Sequence, residues 1–75
     1  MFKQSTHAIL KSVNPISIHG QRYYDILFVI PDDEEQLQRK SRAPYEEVYE
    51  NPQPGDEVII HSLLGTITGI ERVEE

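Results

Sequence analysis

The feature that most constrains this chain is its closing stretch, Pro54-Gly55-Asp56-Glu57-Val58-Ile59-Ile60-His61-Ser62-Leu63-Leu64-Gly65-Thr66-Ile67-Thr68-Gly69-Ile70. Pro54-Gly55 is a turn signal, and β-branched residues dominate the segment after it. Leu64-Gly65 reverses the chain between strands predicted at 57–62 and 66–73. Val58 and Ile60 share one face of the first strand. Ile67 and Gly69 share a face of the second, with Glu71 outside the core. Gly69 interrupts the run and predicts a bulge or a sharp corner. A hairpin of this kind builds a small antiparallel domain, not a helix or a catalytic pocket.

The N-terminal half predicts a second, longer hairpin. Residues 5–13 put Thr6, Ala8, Leu10 and Ser12 on one face and His7, Ile9, Lys11 and Val13 on the other. Neither face is cleanly apolar, so the register is weakly specified there. Asn14-Pro15 implies an edge position or a bulge, because proline cannot donate to a ladder. Ile16-Ser17-Ile18 resumes the alternation, and His19-Gly20 supplies the tight turn. The return strand, 22–30, holds five consecutive apolar residues (26–30), the mark of a strand covered on both faces. Pro31 ends it.

Counting the Pro15 break as a boundary, five or six short strands are expected. The fold class is mainly β: a small barrel, SH3-like or OB-like, with one short helix or loop insert. The Gly-Asp-x-Val-x-Ile segment followed by Gly-x-Ile-x-Gly-Ile resembles the KOW-like hairpin of SH3-like barrels in translation and transcription factors. That resemblance spans about a quarter of the chain and implies nucleic-acid machinery. The basic residues usual between the strands of that family are missing here.

The middle separates the hairpins. From Asp32 to Arg42 acidic residues come first and basic ones last, matching the helix dipole at both ends, and Glu35 and Arg39 stand at i, i+4. Leu37 is the only large apolar residue, so either one or two surface helical turns or a charged loop is expected. Residues 45–50 read as a short strand or a turn of helix, and Asn51-Pro52-Gln53-Pro54-Gly55 as a turn. The connection 31–56 is long for its setting, and long connections of this sort are usually functional or disordered.

Size and charge bound the function. The chain of 75 residues has room for one domain, 1–75, with 31–56 as its charged insert. It contains no cysteine, which excludes disulfides and thiolate metal sites. Met1-Phe2-Lys3-Gln4-Ser5-Thr6-His7 lacks the apolar run of a signal peptide, no segment is apolar for the length of a bilayer, and a cytoplasmic location is expected. The net charge of −6 is uneven: +2 over residues 1–31 and −8 over the rest. An acidic whole argues against general duplex binding, where lysine and arginine neutralise phosphate.

Candidate chemistry is sparse. His7, His19 and His61 match no metal-ligand spacing. The carboxylates at 32–35 form a solvated run, and no activated serine or phosphate-cradling glycine loop stands out. The chain therefore reads as non-enzymatic and without cofactor or metal. Arg39, Arg42, Tyr45 and Tyr49 are the candidate partner-binding residues, with Lys40, Arg22, Tyr23 and Tyr24 nearby, since tyrosine and arginine most often anchor interfaces. The function expected is an interaction module, or a small adaptor subunit, that binds a protein through residues 32–50. The alternative is a single-stranded nucleic-acid-binding domain, with bases stacking on the tyrosines. A third possibility is a subunit whose apolar strand edge completes a larger sheet. The oligomeric state stays open.

Overall fold

A computed structural model describes residues 3–35 and 37–73. Five strands form one antiparallel sheet: β1 (Lys3–Ile18), β2 (Gln21–Val29), β3 (Arg39–Pro44), β4 (Glu57–Leu63) and β5 (Thr66–Arg72). Their order is β3-β2-β1-β4-β5, so the outer strands are β3 and β5. The protein is mainly β, and its only helical element among the described residues is one 3-10 turn, Tyr45–Glu47. No helix among them is long and apolar enough to cross a membrane.

β1 serves both halves of the sheet. Its first part pairs with β4 and its second with β2, and Ile9 is paired on both sides, to Val29 and to Glu57. The mixed faces of 5–13 have a simple cause. The ladder passes from Leu10↔Phe28 to Ser12↔Leu27, leaving Lys11 as an extra residue. Because side chains alternate with period two, one inserted residue exchanges the faces. Ala8 and Leu10 are buried before the bulge, and Val13 packs on the core after it.

Pro15 does not divide β1, which corrects the six-strand count. It lies opposite Tyr24 in a stretch where β1 has β2 on one side and no strand on the other. The missing N–H therefore falls on an edge. β5 repeats the bulge device. His61 pairs with Gly69 and Ser62 with Ile67, so Thr68 is the extra residue. Gly69 consequently leaves the face of Ile67, against the simple alternation, and Ile70 replaces it in the core.

Both hairpin turns have positive φ at two successive residues: 51° and 80° at His19 and Gly20, 51° and 82° at Leu64 and Gly65. That is the type I′ arrangement whose twist suits adjacent strands. Among the described residues of 32–42 no helix forms. Turns follow Ile30, and the chain enters β3 at Arg39. With Leu37 exposed, there was no apolar face to hold a helix, whereas Ala43 could be buried completely. Residues 45–47 form the 3-10 turn and Val48 a single bridge, satisfying in part both readings of that segment.

The core gathers on one face of the sheet, around the fully buried Leu10, Ile26 and Val58. Covering side chains of this size contributes roughly 1.5–3 kcal/mol each. In the 26–30 run the faces differ: Ile26 and Phe28 join the core, Val29 is buried outside it, and Leu27 is half-buried.

The sheet does not close on itself. Between the outer strands the one backbone bridge among the described residues is Val48↔Ile70, parallel, with the Tyr49 N–H donating to the Ile70 carbonyl at 3.3 Å. Beyond it, β3 and β5 approach one another without pairing, and a groove of about 190 Å³ is lined by Phe28, Ile30, Arg39, Ser41, Ile60 and Ile67, among others.

Candidate partner-binding surface

β3 carries Arg39, Lys40 and Arg42, and its pleat sends these cations different ways. Arg39, Ser41 and Ala43 stand opposite Phe28, Ile26 and Tyr24, the core-facing row of β2. Lys40 and Arg42 stand opposite Leu27 and Asp25, on the outer face. Arg42 Nε donates to Asp25 at 3.0 Å, and Arg39 lies 3.6 Å from Asp33. Both guanidinium side chains remain about half exposed (51% and 52%), so the pairs add little to stability.

Tyr45 forms the centre of a second cluster. Its ring stacks on Tyr24 with centroids 5.2 Å apart and planes 18° from parallel. The Arg22 guanidinium lies 5.3 Å from the Tyr45 centroid, close enough for a cation–π attraction. Burial first, and Tyr45 second, hold the Tyr24 hydroxyl above its ordinary pKa, while Arg22 pulls the other way. Pro44 fixes the chain's direction into this cluster. The stack borders a concavity of about 460 Å³ whose walls include Gly20, Arg22, Tyr23, Pro44, Tyr45 and Glu46.

Tyr49 has a different place. Its ring packs on the core, and its hydroxyl donates to Asp56 Oδ2 at 2.7 Å. Asp56 also accepts from the Gln53 N–H at 3.1 Å. The hydrogen bond from Tyr49 lowers the Asp56 pKa, and burial together with that same carboxylate raises the Tyr49 pKa. The turn they brace is pinned to β1. Gly55 N–H donates to the Leu10 carbonyl at 2.7 Å, and Leu10 N–H to the Asp56 carbonyl at 2.9 Å. Gly55 at φ 92° is a position where a side chain would be strained.

The four predicted residues therefore do not converge. Arg39 marks the start of the seam, Arg42 the outer face, Tyr45 the aromatic stack, and Tyr49 the scaffold beneath. Arg22 and Tyr24 belong with Tyr45, a partnership that the sequence places only by the register of a hairpin. The groove between β3 and β5 had no local sequence signal, because residues from all five strands wall it.

The histidines lie elsewhere. His7 pairs with Glu57, and Ser5, His61 and Glu71 form a chain of contacts at 3.0 and 3.2 Å across β1, β4 and β5. A serine–histidine–carboxylate series invites comparison with a nucleophilic triad. Here Ser5 and Glu71 are exposed, and the concavity that Glu71 borders includes neither Ser5 nor His61. The series thus lacks the water-excluded setting in which such a serine is activated. Among the described residues no group of three or more histidine, aspartate and glutamate side chains is arranged to hold a metal ion.

Comparison with protein-family models, with curated proteins and with solved structures finds no match.

Proposed function

We propose that this chain is a non-enzymatic interaction module that binds a protein partner through β3 and the 3-10 turn after it. Arg39, Arg42 and Tyr45 make the contact, joined by Arg22, and Tyr49 holds the surface in place from below. The observation that carries this reading is the Arg22–Tyr45–Tyr24 layer beside the 460 Å³ concavity. It presents a rigid aromatic ring, 40% exposed, with a cation already seated on it. Such tyrosine and arginine anchors next to a recess are where interface energy concentrates. Glu46 and Glu47 follow directly, so the surface carries both signs of charge. A protein partner can match both; a phosphate backbone matches one.

The finer architecture belongs to the same proposal. A partly open five-stranded sheet, with a long bulged first strand shared by both halves, suits an OB-like barrel better than an SH3-like one. On that reading the β2–β3 face and the turn at His19-Gly20 are the binding side. The stacked layer also favours a second reading, single-stranded nucleic acid with bases on the exposed ring. It predicts binding of a labelled oligothymidine at low salt that weakens steeply as salt rises.

Native mass spectrometry of the tagged chain recovered from its host's lysate, with and without nuclease, separates the two. The expected result is a nuclease-resistant protein adduct that is lost when Arg42→Ala and Tyr45→Ala are combined. A nuclease-sensitive adduct, or one indifferent to those substitutions, overturns the protein-partner reading.

A further inference from the structure

We infer that the concavity beside Tyr45 takes a partner segment in the extended polyproline conformation, with a carboxylate and a cation three residues apart. The inference rests on the protein-partner reading and names that partner's chemistry. The residues that would meet the segment are open to solvent: Gln21, Arg22, Tyr45 and Glu46 are exposed, and Tyr23 and Pro44 are half-buried. All six border one concavity of about 460 Å³.

The backbone there has no place for an added strand. Tyr23 is already paired on both sides, to Ile16 in β1 and to Pro44 in β3. A docking helix needs an apolar groove several turns long, and here the apolar surface is confined to Tyr23, Pro44 and Tyr45. A polyproline segment needs neither. It makes no hydrogen bonds within itself, docks on aromatic surfaces, and loses little entropy in doing so. Tyr45 offers such a surface, held by its stack on Tyr24. Gln21 Oε1 accepts from the Tyr23 hydroxyl at 2.8 Å, which leaves the Gln21 amide hydrogens to donate to a peptide carbonyl.

Two charges set the pattern. Among the described residues the ion pairs join His7 to Glu57, Arg39 to Asp33, Arg42 to Asp25 and His61 to Glu71. Arg22 and Glu46 belong to none of them, although both border the concavity. The Arg22 guanidinium lies over the Tyr45 ring instead, an orientation that readies its N–H groups for a carboxylate. Glu46 calls for a cation. A polyproline segment has three residues per turn, so residues i and i+3 return to one side, roughly 9 Å apart.

The same charges select between occupants. Glu46 and Glu47 repel the phosphate chain that Arg22 alone would attract. The proline-bearing turn of a second copy, residues 51–55, is flanked by Glu50 and Asp56 and brings no cation to Glu46.

The probes are capped glutamate-proline-proline-lysine and the same peptide in reverse order, titrated into the isotope-labelled chain and followed by amide chemical shifts. Comparators carry glutamate at both ends, lysine at both ends, or glycine for both prolines. Shifts are expected at residues 20–23 and 45–47, with one mixed-charge order binding about fivefold more tightly than each comparator. Exchanging the two charges, Arg22→Glu with Glu46→Arg at exposed positions, should pass the preference to the other order.

Equal affinity for mixed and like-charged peptides would overturn the inference, as would shifts centred away from the concavity or an order preference that the exchange leaves unchanged. An oligothymidine that moves the same amides at lower concentration would overturn it in favour of single-stranded nucleic acid. Growth in particle size with concentration of the chain alone would overturn it in favour of a second copy. If no peptide binds while the nuclease-resistant adduct persists, the polyproline chemistry is wrong and the protein-partner reading stands. If that adduct is missing as well, both fall.

Discussion

The two ends of the seam between β3 and β5 are built from the same materials and finished differently. At one end the chain after β3 makes the Val48↔Ile70 bridge, and Tyr49 packs over the core with its hydroxyl tied to Asp56. Ala43 and Val58 below are sealed from solvent. At the other end no bridge forms among the described residues, and Phe28 and Ile67 remain partly wet at the floor of a groove. Both ends present buried aliphatic side chains between two strand edges. What separates them is a short reach of backbone: residues 45–49 cross the gap at one end, and the other end has no such crossing. The comparison places the structural reinforcement where the seam is stitched.

Truncation in the core should expose that division most strongly. Leu10→Ala, beside the pinned turn at a site 1% exposed, should cost about 3–4 kcal/mol, because a sealed cavity is left behind. Ile67→Ala, on the wall of a groove that is already open, should cost less, roughly 2 kcal/mol, since little of the cavity penalty applies. Urea denaturation of both variants checks the ordering; equal losses would break the contrast.

A smaller effect tests the stitching itself. Tyr49→Phe removes the donor to Asp56 and should cost roughly 1 kcal/mol, taken at the low end because Asp56 is not deeply enclosed. The pH dependence has a definite sign. Asp56 is held below its ordinary pKa, so its contribution is present above about pH 4 and is lost as the solution is acidified through the lower folded value. Tyr49 is held above its ordinary value, so its contribution is complete below about pH 10 and fades as pH rises beyond that point. In the phenylalanine variant both dependences should flatten, which melting curves across the two pH ranges would show. Unchanged curves would mean that Asp56 and Tyr49 do not act as a pair.

The smallest expected change concerns the turn at the open end. Leu64 holds φ 51° while 78% exposed, a conformation that asparagine tolerates better. Leu64→Asn should raise stability by about 0.5–1 kcal/mol without altering the seam. A loss of stability would indicate that the exposed leucine has packing of its own.

How much of this was written in the sequence depends on the range of the signal. The two hairpins were legible because Gly20, Gly65 and the β-branched runs around them act locally. The faces of β1 and β5 were not, because Lys11 and Thr68 look like ordinary strand residues and become bulges only when a partner strand fixes the count. The charged stretch 32–42 shows a third case. Its acid-to-base gradient fits a helix, yet Ala43 and the inward row of β3 draw its end into the sheet. Of the candidate residues, Tyr45 and Arg42 stood out by residue type, and the structure leaves both exposed. Tyr49 was not distinguishable from Tyr45 by composition, since only the turn at 53–56 gives its hydroxyl an acceptor. The groove was invisible, being a property of strand order.

The most direct measurement of the central contrast is native-state hydrogen exchange of the free chain, resolved to single amides. The stitched end should protect the Tyr49 amide, which donates to Ile70, while amides facing the seam among residues 39–41 and 66–68 exchange orders of magnitude faster. Equal protection along both edges would mean that the seam is closed throughout in solution, and the division between a sealed end and an open end would be wrong.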